Sequence, residues 1–333
     1  MSDTEREPCL GLDIGTSRIV LARRAQGKFD FQAQLNAFVS IPFSKLTHKV
    51  LKKEGVPHKV RGPEILIYGN ESDRFAELFH VETRRPMLHG VLNPGEPDNL
   101  ELLRQIVAGL LGSDGKGGGK LCYSLPAARL VSGEEVKYHD AALRHVLAEF
   151  GFELRSIDEG LAVVLGELEA SNYTGIGISC GGGMCNVCLA YLSVPVLSFS
   201  LPKAGDYVDA TTATATGEGA TRVRLIKERS FVLNGRAPDK VHRALTVYYE
   251  DMIRSLIGAM REAFSEARRL PRLDRPVPVV LSGGSVLPEG FRERFEGVLK
   301  ESSFPVAISE VVLSPDPLHS TARGALMAAL TDM

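Results

Sequence analysis

Hydrophobic and small or polar positions alternate with a period of two through the middle of the chain. Ile176, Ile178 and Cys180 trade places with Gly177 and Ser179, the spacing of a half-buried strand. Gly181, Gly182 and Gly183 then turn the chain, and a second alternating run over 185–190 leaves the turn. The same pattern stands near the start, as Gly11-Leu12-Asp13-Ile14, a turn at Gly15-Thr16-Ser17, and a run over 18–22. Laid together, Gly11 matches Gly177, Asp13 matches Ser179, and Gly15-Thr16-Ser17 matches Gly181-Gly182-Gly183. Half of the 333-residue chain separates the two. One strand–turn–strand unit is used twice. Open turns of this kind let backbone N–H groups converge on an anion, as phosphate-cradling nests do. Two of them face to face would grip one polyphosphate from both sides.

The remaining pattern fills out two halves. Residues 28–32 and 37–41 predict strands after a turn at Gly27, and about 42–80 reads as an insert containing the strand 65–68. Helical spacing covers 100–111 and 134–150, the second closed by Gly151, with a strand at 121–126 between them. In the second half a strand at 196–200 follows Pro195. A helix opening near Asp206 is expected to be short, because 210–217 is poor in apolar residues. The longest helical signal spans 239–270, where Val241, Leu245, Tyr248, Met252, Leu256, Met260 and Phe264 recur every three or four residues. Pro271, Pro276 and Pro278 end it. A buried strand at 277–281 leads into Gly283-Gly284, and 317–330 predicts a small-residue helix packed tightly on its neighbours. Each half is therefore expected to be α/β: a three-strand meander plus parallel strands, flanked by helices, with a cleft between the halves.

Composition narrows the function. With 44% hydrophobic and 24% charged residues, the chain has the makings of two ordinary domains with sizeable cores. A net charge of −2 argues against a general nucleic-acid binder. The polar, acidic stretch 1–8 resembles neither a signal peptide nor a membrane anchor, and no apolar run reaches the ~18 residues of a membrane span. The expected location is the cytoplasm. Cys180, Cys185 and Cys188 share the C-x4-C-x2-C spacing of plant-type ferredoxins, but the first two fit the apolar strand face and no fourth cysteine lies nearby. Core thiols are the better reading. The histidines show no paired metal-ligand spacing. The glycine-rich stretch 112–120 is a loop rather than a P-loop, since Leu121 follows Lys120 where the motif needs Ser or Thr. The basic run of Lys45, His48, Lys49, Lys52, Lys53, His58, Lys59 and Arg61 reads as a solvated face.

Taken together, these motifs resemble the actin-like ATPases, a family that includes MreB, FtsA and the ATPase domain of heat-shock chaperones. Asp13-Ile14-Gly15-Thr16-Ser17 resembles its first phosphate loop, Ser179-Cys180-Gly181-Gly182-Gly183 its second, and Val280-Leu281-Ser282-Gly283-Gly284-Ser285 its adenosine motif. Residues 158–162 and 321–325 resemble the two connecting helices, and 86–92 a short segment that precedes a helix. The order matches over nearly the whole chain, and Gly205-Asp206-Tyr207-Val208-Asp209 is most similar to MreB, a resemblance that implies Gly205 and Asp206 among the nucleotide-binding residues. The resemblance implies duplicated ribonuclease-H-like (actin-like) domains. Domain I would comprise 1–160 and a C-terminal helix at 318–333, and domain II 161–317 with an insert at about 210–276.

It also implies ATP or ADP with Mg²⁺ in the cleft. By resemblance Asp13 holds the metal's water shell, Glu159 positions the lytic water, and Arg224, Lys227 and Glu228 flank the adenine. Read without the resemblance, Asp13 is also a possible turn cap, Glu159 a helix N-terminal charge, and the other three a solvated face. Thr16 and Ser17 offer hydroxyl and N–H donors to phosphate, and Gly283, Gly284 and Ser285 permit close backbone approach to base and ribose. Two positions depart from the family: Ser179 replaces an acidic residue and Met184 a threonine. Losing one transition-state group commonly slows a reaction ~10²–10³-fold, so weak hydrolysis is expected. The leading expectation is an MreB-like ATP-binding protein that assembles with itself into a filament. A non-hydrolysing scaffold docking a protein partner, similar to PilM-like relatives, is the alternative. A small-molecule kinase comes third, because no base for a substrate hydroxyl stands out.

Overall fold

The computed structural model describes residues 8–112, 118–128, 134–267, 270, 271, 273 and 275–332. β1 (Cys9–Ile14) and β2 (Arg18–Ala25) pair antiparallel, with Leu12 opposite Leu21 and Ile14 opposite Ile19, and β3 (Lys28–Leu35) completes the meander. The insert follows: β4 (Phe38–Pro42), α1 (Lys45–Lys53), β5 (His58–Arg61), β6 (Glu64–Tyr68) and α2 (Glu71–Phe79). Its small sheet, ordered β4-β6-β5, closes over Val39, Ile41, Leu51, Ile65, Ile67 and Phe75. The chain returns through the short hairpin β7 (Met87–Leu88) and β8 (Val91–Leu92), then α3 (Asn99–Leu111), β9 (Lys120–Leu125), α4 (Glu134–Ala148), β10 (Glu153–Asp158) and α5 (Glu159–Glu167). β9 runs parallel to β1, and β10 parallel to β9, giving the order β10-β9-β1-β2-β3.

The second half repeats this plan. β11 (Gly175–Cys180), β12 (Cys185–Tyr191) and β13 (Val194–Leu201) form the meander. Then come α6 (Gly205–Thr216), α7 (Ala220–Ser230), α8 (Lys240–Glu266), β14 (Val277–Ser282), α9 (Phe291–Glu301), β15 (Ile308–Leu313) and α10 (Ser320–Thr331). The order β13-β12-β11-β14-β15 copies that of the first sheet, with β14 parallel to β11.

Between the sheets lie α5 and α10, and the repeated glycines explain how closely they pack. A Cβ added to Gly11 would sit 2.3 Å from the Ala322 carbonyl oxygen, and one on Gly177 would sit 2.4 Å from that of Gly160. Each first strand thus accepts a helix directly onto its backbone. Where the two helices cross, a Cβ on Gly324 would lie 1.7 Å from the Ala162 carbonyl oxygen. Only small residues tolerate this spacing, which is why Ala322, Ala325, Ala328 and Ala329 fill the buried face of α10.

Several expectations need correction. β10 was not foreseen, and neither were α9 and β15. α6 is a full twelve-residue helix rather than a short one, with the Thr211, Thr214 and Thr216 hydroxyls donating to carbonyls one turn back. β13 already begins at Val194, and Pro195 is accommodated on an edge strand where the register with β12 shifts. In α8, Tyr249 rather than Tyr248 is fully enclosed. The basic run is not wholly solvated: Lys59 pairs with Glu101 at 3.4 Å and Arg61 with Asp98 at 2.6 Å, fastening the insert to α3. Much of the glycine-rich loop, residues 113–117, lies outside the described residues. Cys180 and Cys185 belong to the core of the second sheet and Cys188 to its other face, all as free thiols. Among the described residues no helix is long and apolar enough to cross a membrane.

Candidate functional site

The duplicated turns meet. A Cβ on Gly182 would fall 2.0 Å from the Ser17 hydroxyl oxygen, and one on Gly183 would fall 2.3 Å from that of Thr16. Thr16 is buried and its hydroxyl accepts the Gly90 N–H at 3.0 Å, so the segment before α3 is tied to the first turn. Among the described residues no acceptor pairs with the backbone N–H groups of Thr16, Ser17, Gly182 or Gly183. Four unpaired donors in two facing turns form an anion nest. They open into a cleft of about 740 Å³ between the halves.

Two carboxylates stand beside the nest. Asp13, at the end of β1, accepts a 2.7 Å hydrogen bond from the Ser124 hydroxyl on β9, and that hydroxyl in turn accepts the Ile14 N–H. Glu159 opens α5, where Ser179 donates to its Oε2 at 3.0 Å and Asn186 at 2.9 Å. Asn186 also accepts the Ala127 N–H, so it joins the first sheet to the second. Both acids face the cleft but are otherwise surrounded by protein. Burial pushes Asp13 up to about 6, partly offset by Ser124 and by the nearby His319. Burial pushes Glu159 up to about 8, with repulsion from Asp13 adding to it and the Ser179 and Asn186 hydrogen bonds opposing it. Two such acids together call for a cation. Among the described residues no cluster of three or more His, Cys, Asp or Glu forms a metal cage. The all-oxygen pair fits a hard cation that keeps most of its waters, as Mg²⁺ does.

On the far side, the second turn is pinned through its carbonyls. The Gly205 N–H donates to Gly181 O at 3.1 Å, the Asp206 N–H to Gly182 O at 2.7 Å, and the Ser285 hydroxyl to Gly181 O at 2.7 Å. Gly283 has φ of +91°, and a Cβ there would meet the Cys180 carbonyl at 2.3 Å, so a glycine is required. Gly284 and Ser285 line the cleft, whereas Gly205 sits just behind the lining. The charged face of α7 reaches the cleft, but two of its cations are engaged. Arg224, almost fully buried, pairs with Asp73 of the insert at 2.7 Å, and Lys227 pairs with Asp209 at 2.7 Å. Glu228 also lines the cleft. Burial raises Asp209, and Lys227 offsets this.

The cleft thus brings together every sequence-predicted residue except Gly205, which supports it from behind. Sequence reasoning missed Ser124, Asn186, Asp209, Asp73 and Arg85, the last bonded to Asp206 across the cleft at 2.5 Å. Asp209 lies in the segment similar to MreB but was given no role; nothing local distinguishes the others, and the internal repeat misleads at Asn186, whose counterpart is the core residue Val20. A groove of about 780 Å³ between α1 and α2 is mostly apolar and contains none of the candidate residues.

Two five-stranded sheets of one topology, helices crossing between them and a cleft framed by paired turns define an actin-like fold. Within that class the chain belongs to the Volactin family, whose sequence model matches residues 9–329. Among solved structures it is similar to the MamK double helical filament, with 20% identity, a TM-score of 0.71, and coverage of 97% of this chain and 98% of that one. MreB5 of Spiroplasma citri bound to AMPPNP superposes with a TM-score of 0.66 at 13% identity, covering 98% of this chain and 97% of that one. The ethanolamine utilization protein EutJ of Carboxydothermus hydrogenoformans does so with 0.55 at 18% identity, covering 98% and 91%. At these identities the likeness establishes the fold. No curated protein sequence matches the chain.

Proposed function

We propose that this protein binds ATP and ADP with Mg²⁺ in the interdomain cleft and uses the nucleotide to govern its own assembly into cytoplasmic filaments. The observation that carries this reading is the nest: four N–H donors, unpaired among the described residues, in two facing turns, beside two buried acids whose ionised forms a cation would favour. In this arrangement Thr16, Ser17, Gly15 and Gly181 to Gly183 hold the phosphates, while Gly283, Gly284 and Ser285 lie against the nucleoside. Domain I would comprise 1–160 with the C-terminal helix, and domain II 161–317. Solved neighbours in a filament (MamK) and with AMPPNP or ADP (MreB5 of Spiroplasma citri) support the extension to nucleotide and self-assembly.

Mg²⁺, when bound, supplies positive charge that neutralises phosphate oxygens. Asp13, held by Ser124, would orient its water shell. Glu159 would hold the attacking water and, ionised by the bound cation, take up its proton. Ser179 donates to Glu159, so it positions that carboxylate and adds no charge of its own. The expected outcome is slow hydrolysis. Sedimentation with ATP, ADP and no nucleotide, run beside a phosphate-release assay, tests the proposal. Pelleting that depends on nucleotide supports it, and nucleotide binding without pelleting at any concentration favours the partner-docking scaffold instead.

A further inference from the structure

Arg85 and Asp206 meet across the cleft, and their positions relative to the two turns give the pair a role of its own. The Arg85 Nη1 lies 2.5 Å from Asp206 Oδ1, with the side chains 19% and 22% exposed, and both line the cleft. Asp206 belongs to the second turn: its N–H donates to Gly182 O, and its carboxylate lies 3.3 Å from where a Cβ on Gly182 would be. Arg85 belongs to the first. Its carbonyl accepts from Asn93, and the same segment is pinned to Thr16 through the Gly90 N–H. An anion seated on the Gly182 N–H therefore arrives against the Asp206 carboxylate and within reach of the guanidinium that neutralises it.

We propose that Arg85 senses polyphosphate by exchange: with the cleft empty it neutralises Asp206, and the phosphates of a bound nucleotide take the guanidinium over. This rests on the nucleotide reading above and adds a regulatory contact to it. A di- or triphosphate carries more charge than one carboxylate, and two oxygens of a tetrahedral phosphate can meet the guanidinium fork where Asp206 offers one, so it outcompetes Asp206. The Asp206 charge, once released, stays favourable in the first turn of α6. The exchange replaces a direct bond between the halves with one made through the ligand, so the tie across the cleft depends on which phosphates are present. Other lining cations are less suited. Lys227 is held in a nearly buried pair with Asp209 and Arg224 by Asp73, and Arg229, which pairs with Glu77 at 3.2 Å, is largely exposed to solvent. Arg18 lines the cleft too, but among the described residues it has no carboxylate partner to exchange.

The test is equilibrium titration of ATP, ADP and AMP into the native protein, Arg85→Ala, Arg85→Lys, Asp206→Asn and the Arg85→Ala/Asp206→Asn double variant, each first checked for a native melting transition. Removing a charged hydrogen bond to phosphate should weaken ATP about 10- to 100-fold in Arg85→Ala, with AMP nearly unaffected and Arg85→Lys intermediate. Asp206→Asn, freed of the competitor, should tighten ATP several-fold, and that gain should vanish in the double variant because the two residues act as one unit. Tightening that persists without Arg85 would mean simple repulsion and overturn the exchange. So would an Asp206→Asn variant that weakens ATP as much as Arg85→Ala, which would make the pair a static brace, or an Arg85→Ala variant that binds ATP normally. Arg18→Ala should weaken ATP whether or not Asp206 is present; if its effect instead disappears with Asp206→Asn, the exchange belongs to the wrong arginine. A native protein that binds no ATP would remove the nucleotide reading itself, a result distinct from all of these because no variant would bind either.

Discussion

Glu159→Gln should make the empty protein more stable and the loaded protein inactive. The folded value of Glu159, about 8, lies above its ordinary 4.5, so the native state retains a proton that the unfolded chain has released. Stability therefore falls as pH climbs from about 4.5 to about 8. Gln keeps the acceptor oxygen that Ser179 and Asn186 bond but has no proton to hold. Since pH 7 lies about 2.5 above the ordinary 4.5 and still below the native value of about 8, the stability lost by pH 7, and with it the gain, is capped at roughly 3 kcal/mol. Because the carboxyl opens into the cleft, solvent trims this to about 2 kcal/mol, a rise in Tm of roughly 3 °C for a chain of 333 residues. The assay is thermal unfolding in EDTA at pH 5, 7 and 8. The two forms should melt together near pH 5 and separate as pH rises, and with Mg-ATP the order should reverse, since only the native carboxylate ionises toward the cation. Identical melting curves at every pH would refute the picture of two buried acids in conflict.

Three further outcomes follow from other parts of the molecule. His139 is fully buried, neither ring nitrogen has a partner among the described residues, and burial lowers it to about 4, so stability should be lost as pH falls from about 6.5 to about 4; His139→Phe should flatten this acid limb in the same melting experiment. Gly324→Ala would drive a Cβ into the Ala162 backbone and should cost about 1–3 kcal/mol in denaturant unfolding, whereas an unchanged unfolding curve would mean that α5 and α10 are not in contact there. Ser124→Ala removes the donor to Asp13 and should weaken Mg²⁺ in the ATP-bound protein roughly tenfold, read by titrating Mg²⁺ against a fluorescent nucleotide.

The parts of this fold that were legible in the sequence are those where one physical constraint acts locally. The strand–turn–strand units stood out because alternation and glycines coincide, and the same glycines that mark the pattern, Gly11 and Gly177, turned out to admit α10 and α5 onto the sheets. The 27-residue helix α8 was equally plain from its stripe. β10 was not, because it is an edge strand with only Ile157 fully buried, leaving Glu153 and Arg155 to obscure the alternation. The propensity argument failed at α6, where threonine hydroxyls bond back along the helix and Val208 and Thr212 are buried by tertiary packing. In the site, the backbone donors and Asp13 could be read directly, but their partners could not. Arg85 and Asp206 lie 121 residues apart and Arg224 and Asp73 lie 151 apart, and no periodicity encodes contacts made only when two halves close on each other.

The central claim, that the two facing turns are a polyphosphate site, is tested most directly by calorimetric titration of Mg-ATP into the native protein and into Gly182→Val. The Val side chain would occupy the space against Ser17, where even a Cβ falls 2.0 Å from the hydroxyl, and would close the nest from inside. The native protein should show saturable one-site binding and the variant none, with the variant still showing a native melting transition. Equal binding by both forms, or no binding by the native protein, would contradict it.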